Sequence, residues 1–144
     1  MLNTGGIINS ARRSPSARIW RGSAWAEKTV WRIAARKLVR AVEYIQDQLD
    51  TDLTVSGIAQ AVSMSPYHFM RLFKESTGQS PHQYVIEARV RKAKELLTTG
   101  KFTISEAAHL VGFVDQSHLT RHFRRVFGLP PKRLLSRRRP QIVV

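Results

Sequence analysis

The chain has 144 residues, enough for one domain or two small ones, and its 42% hydrophobic content can supply a core. Twenty-four Lys and Arg stand against ten Asp and Glu, a net charge of +14 that points to a polyanionic partner: nucleic acid first, an anionic membrane surface second. The lack of cysteine excludes disulfides, thiolate catalysis and Cys-ligated zinc, and no apolar run reaches the roughly 18 residues of a membrane span.

The charge is uneven. Residues 1–37 carry eight bases and one acid, Glu27; residues 38–101 carry eight bases and seven acids; residues 102–144 carry eight bases and two acids, Glu106 and Asp115. The first stretch has the Arg-rich, acid-poor composition of a transit peptide but lacks the apolar segment of a secretory signal. Residues 1–35 are expected to form a basic, disordered arm.

From Ser23 the pattern turns helical. Val30, Ala34, Leu38, Ala41, Val42, Ile45 and Leu49 recur at three- or four-residue spacing, which makes one apolar stripe ending near Asp50-Thr51-Asp52. Thr54 is an N-cap for a short helix over 55–62, and Ser63-Met64 forms a tight turn. Ser65-Pro66 then opens a helix over about 66–76 that stops before Gly78. Ser80-Pro81 repeats that signal and starts a helix running to Thr99 and Gly100, with Ile86, Val90, Ala93 and Leu97 inward. Its 18 or so residues span roughly 27 Å. A short helix (104–111), a turn at Gly112, a helix over about 115–126 and a last short one after Pro130-Pro131 complete the chain. The class is all-α, with about seven helices.

The chain contains one pattern twice. Residues 54–64 align with 103–113, and 67–81 with 117–131. Nine of the 26 aligned pairs are identical, among them Thr54/Thr103, Ala59/Ala108, His68/His118, Arg71/Arg121 and Phe73/Phe123. The shared unit is short helix, tight turn, longer helix and glycine stop, which is a helix-turn-helix in outline. In the first copy Phe69, Leu72 and Phe73 face the core, while Tyr67, Met70, Arg71 and Lys74 face outward. In the second, Leu119, Phe123, Val126 and Phe127 face the core, while Ser117, Thr120, Arg121 and Arg124 face outward. Each outward set has two cations and no carboxylate, as a helix in a major groove requires. Arginine can bond guanine twice, and Lys or Arg neutralises phosphate.

Residues 38–135 resemble the DNA-binding domain of AraC/XylS-type transcription regulators. The resemblance is carried by Ser65-Pro-Tyr-His-Phe-Met-Arg-Leu-Phe-Lys74, by Gly112-Phe-Val-Asp-Gln-Ser-His-Leu-Thr-Arg-His-Phe-Arg124, and by Gly78–Tyr84, Ala93–Leu97 and Gly128–Pro131. It implies two helix-turn-helix subdomains joined by one long central helix, within a domain over 36–137. The units would cover 54–78 and 103–128, the joining helix 81–99, and a tail 138–144. It implies that the helices at 66–76 and 115–126 enter successive major-groove segments, about 34 Å apart. Tyr67, Met70 and Arg71, with Gln116, Ser117, Thr120 and Arg121, match positions that contact bases, and His118 lies beside them. Lys74, Arg124 and the helix starts at Ser65 and Ser80 would meet phosphate.

The chain departs from the family pattern in places. Ser63 stands where glycine is common and is strained if φ is positive. Gly57 weakens a helix by about 1 kcal/mol. Leu134 replaces an aromatic. Residues 1–37 are too short and polar for a sensor domain, so the chain is similar to small, MarA/SoxS-like members or to a truncated regulator.

His118 and His122 have the i, i+4 spacing of metal ligands, but no intervening Glu or third ligand accompanies them. His118 also repeats His68, which suggests a shared structural place. Trp31 and Trp25 are read as cover for the first apolar stripe, in preference to a base-stacking or membrane-interface set of Trp20, Trp25 and Trp31. No catalytic set stands out, so neither an enzyme, a cofactor nor a metal is expected. The expected function is a sequence-specific transcription regulator, an activator, located in the cytoplasm with the nucleoid. It would bind double-stranded DNA as a monomer and engage RNA polymerase. The alternative is a non-specific cationic protein that coats nucleic acid or an anionic membrane.

Overall fold

The computed structural model describes residues 24–138. Among these the chain forms seven helices and no strand. They are α1 (Ala24–Asp47), α2 (Val55–Ala61), α3 (Pro66–Thr77), α4 (Pro81–Thr98), α5 (Ile104–Leu110), α6 (Gln116–Phe127) and α7 (Pro131–Arg138). The described residues divide into two compact units: one holds 24–48 and 53–84, the other 49–52 and 85–138. Helix α4 starts in the first and continues in the second.

The expected arm over 1–35 is corrected by α1, which begins at Ala24. Its apolar stripe reaches further back than position 36: Ala35 is buried, and Val30, Trp31 and Ala34 are half-buried. Ala, Glu, Lys and Arg, which dominate this stretch, are good helix formers, so basic composition did not imply disorder. Residues 1–23, with Trp20, lie outside the described residues.

In the first unit α1 buries Leu38, Ala41, Val42 and Ile45, and α2 buries Ile58 and Ala59. From α3, Phe69 and Phe73 are almost fully buried, their rings 5.5 Å apart, and Phe73 meets Tyr84 edge-on at 5.3 Å. Each such ring contributes about 1.5–3 kcal/mol by burial. In the second unit Val90 and Ala93 of α4 close a core with Ala108, Val111, Phe113, Leu119 and Phe123, and Leu134 packs on its edge.

The helix starts follow the capping chemistry of the sequence. The Thr54 hydroxyl accepts from the Gly57 N–H at 3.0 Å, and the Ser65 hydroxyl from the His68 N–H at 3.3 Å. Ser80 and Gln83 bond reciprocally, at 3.2 and 3.1 Å. In the second unit Thr103 and Glu106 form a full capping box, at 3.1 and 2.8 Å.

Both helix-turn-helix turns use one backbone pattern. In the first, the Ser63 N–H donates to Gln60 O (3.0 Å) and the Met64 N–H to Ala59 O (2.9 Å). In the second, Gly112 donates to His109 O (3.2 Å) and Phe113 to Ala108 O (2.9 Å). This helix ending needs a left-handed residue. Gly112 has φ 91° and Ser63 has φ 56°, the sole positive φ of a non-glycine among the described residues. The Lys37 ammonium donates to the Ser63 carbonyl at 3.1 Å and ties α1 to that turn. At Gly112 a Cβ would collide with the Leu49 carbonyl oxygen and crowd the Arg89 side chain. Arg89 clamps the same segment, donating to Leu49 O (2.9 Å) and Thr51 O (2.7 Å). Burial pulls its pKa below the usual arginine value, against the opposite pull of Asp52 and Asp50.

Candidate nucleic-acid interface

Helix α3 separates its faces sharply. Phe69 and Phe73 go inward and Leu72 is half-buried, while Tyr67 (69%), Met70 (47%), Arg71 and Lys74 are exposed. Pro66 and the Ser65 cap start the helix, and burial of Phe69 and Phe73 turns this set outward. The expected acid-free face is corrected here. Arg71 Nε donates to Glu75 Oε1 at 3.2 Å. Glu75 lies one full turn beyond Arg71, so their side chains share a line along the helix. That i, i+4 spacing was present in the sequence. Glu75 falls one residue beyond Lys74, the last of the outward set read from the sequence.

Helix α6 has the same plan with a different charge balance. Its cap is Asp115, whose carboxylate accepts from the His118 N–H at 2.8 Å. Leu119 and Phe123 are buried. Gln116, Ser117, Arg121, Arg124 and Arg125 are exposed, and Thr120 is half-buried. Among the described residues no carboxylate forms an ion pair with Arg121, Arg124 or Arg125. Just before the cap, Val114 stands 76% exposed, an apolar side chain that periodicity did not single out.

His118 differs from its counterpart. The two histidines hold the same helix position, but their rings are placed differently. His68 is exposed and meets Tyr67 edge-on at 6.0 Å. His118 is half-buried, 5.1 Å from the Phe113 ring and 4.9 Å from that of His122. Its Nδ1 is buried without a hydrogen-bond partner. A shared structural place therefore holds for the backbone and not for the ring. The described residues contain no group of three or more His, Cys, Asp or Glu placed to hold a metal.

At the two helix starts expected to meet phosphate, the capping serines bond within their own helices. The Ser65 hydroxyl is taken by His68, and the Ser80 hydroxyl and N–H by Gln83. At the far end, Arg137 and Arg138 fall in the last turn of α7, and Arg139 lies outside the described residues. No helix among the described residues is long and apolar enough to cross a membrane.

Comparison with known proteins bears on this geometry. Residues 58–137 match the family model described as a helix-turn-helix domain. A "Probable transcriptional regulator LumQ" from Photobacterium leiognathi is 34% identical over 107 residues, covering 74% of this chain and 42% of that protein. The chain thus spans less than half the length of that curated relative. An AraC-type DNA-binding-domain regulator from Chromobacterium violaceum superimposes with a TM-score of 0.69 at 27% identity, over 74% of this chain and 95% of that one. The DNA-binding domain of AdpA, a global transcriptional factor solved in complex with a target DNA, gives 0.67 at 33% identity, over 73% and 97%. With more than half its residues in the family match and this fold in both units, the chain belongs to the AraC-type helix-turn-helix family.

Proposed function

We propose that the chain is a sequence-specific DNA-binding transcription regulator, an activator, that reads double-stranded DNA with both α3 and α6. The observation that carries this reading is the repeated helix plan: a buried face built on phenylalanine opposite an exposed face that carries cations. Base reading falls to Tyr67, Met70 and Arg71 on α3 and to Gln116, Ser117, Thr120 and Arg121 on α6, with His118 beside them. Lys74 and Arg124 meet phosphate. Val114 adds an apolar tip of the kind that packs on a thymine methyl. The AdpA domain is in complex with a target DNA, and the likeness to it supports DNA as the partner here.

Two units in one chain can address successive groove segments without a second copy, so the chain acts as a monomer on DNA. Activation engages RNA polymerase, and the protein works in the cytoplasm at the nucleoid. A net charge of +14 favours a second reading, a non-specific cationic coat. Titration of Arg121→Ala against single-base variants of a selected site separates the two. The variant should lose about 1–3 kcal/mol on the selected site and tolerate any base at one position. Equal weakening on every sequence would remove base reading from Arg121 and favour the coat.

A further inference from the structure

Tyr67, Arg71 and Glu75 follow one another at four-residue spacing along α3. Arg71 is half-exposed, its side chain at 53%, while Glu75 is more sheltered at 23%. The bond between them is made through Nε, at 3.2 Å. Nε lies on the side of the guanidinium, so a bond there leaves the end-on fork of the two Nη groups directed away from Glu75. That fork is what matches O6 and N7 of guanine. The bond to Glu75, and then the carboxylate's charge, favour the charged guanidinium and raise the Arg71 pKa above its usual value. Arginine otherwise loses rotamer freedom when it takes a base, and a side chain fixed beforehand loses less.

We propose that Glu75 is a positioning residue for base recognition: it holds Arg71 on α3 with its Nη fork free to take a guanine. The proposal rests on the reading that α3 enters the major groove. Its cost is a carboxylate close to phosphates, which lowers affinity for any DNA. Glu75 thereby exchanges total affinity for discrimination. The second unit does not repeat the device, because Arg125 occupies the corresponding position.

The test titrates the full chain and its Glu75→Ala, Glu75→Gln and Arg71→Ala variants on a selected site, on its single-base variants and on random DNA. Glu75→Ala should bind random DNA more tightly than wild type. It should also discriminate about three- to fivefold less at one base pair, the same one that Arg71→Ala flattens. Glu75→Gln, whose amide oxygen can accept the Nε bond, should fall between wild type and Glu75→Ala. A structural role alone would weaken binding to all sequences together. Sharper discrimination by Glu75→Ala would overturn the proposal by showing that Glu75 withholds Arg71 from DNA. An unchanged preference at the Arg71-dependent base pair would overturn it while leaving the DNA-reading function intact. A wild type with no preferred site would overturn that function, and the proposal with it.

Discussion

Positions 63 and 112 build the same turn from different residues. Gly112 is required twice over, by its φ of 91° and by the Leu49 carbonyl that would meet a Cβ there. Ser63 carries the strain of φ 56°, and the Lys37 bond to its carbonyl helps hold it there. An L residue in this conformation costs about 1–2 kcal/mol. Ser63→Gly should therefore raise stability by about 1 kcal/mol, the relief being offset in part by the greater freedom of an unfolded glycine. Gly112→Ala should lower it by about 2–4 kcal/mol, from positive φ and overpacking together. Urea unfolding of the three proteins would measure both changes. A Ser63→Gly variant no more stable than wild type would mean that the turn is not strained at that residue.

At the scale of the helix, starts were legible because each carries its own chemistry. Ser65-Pro66 and Ser80-Pro81 announce a capped first turn, and Thr54 caps as read, while the Thr103 cap repeats Thr54 in the second copy. The helical pattern from Ser23 marked the beginning of α1, but the basic composition of the same residues set the domain bound at 36, too late by twelve positions. The ring of His118 was not legible, since its placement depends on Phe113, which is brought to it by the turn. The two short helices also differ in a way that predicts a measurement. Glu106 completes a capping box with Thr103, whereas Gly57 holds the equivalent place after Thr54. A Cβ at Gly57 would lie 3.1 Å from the Thr54 hydroxyl, a tight approach in which the hydroxyl must give slightly. Gly57→Glu should add a capping-box bond and remove the helical glycine penalty, for a gain of about 1 kcal/mol in thermal unfolding. A loss of stability would show instead that the hydroxyl cannot yield to a Cβ.

Across the whole molecule, the excess of cations was legible from the first count, but their distribution of labour was not. Arg89 is spent on a backbone clamp, Lys37 on a turn carbonyl and Arg71 on Glu75. Arg121, Arg124 and Arg125 of α6 are exposed and pair with no carboxylate among the described residues. Charge alone could not separate these roles, because they depend on which carbonyls and carboxylates the fold brings within reach. On this account α6 contributes more phosphate attraction and α3 a single, better-held arginine. Selection of bound sequences from a random DNA pool by the full chain tests the central claim most directly. The account predicts one preferred site of two short half-sites about one helical turn apart. A bound pool as random as the input would contradict it and leave only a cationic coat.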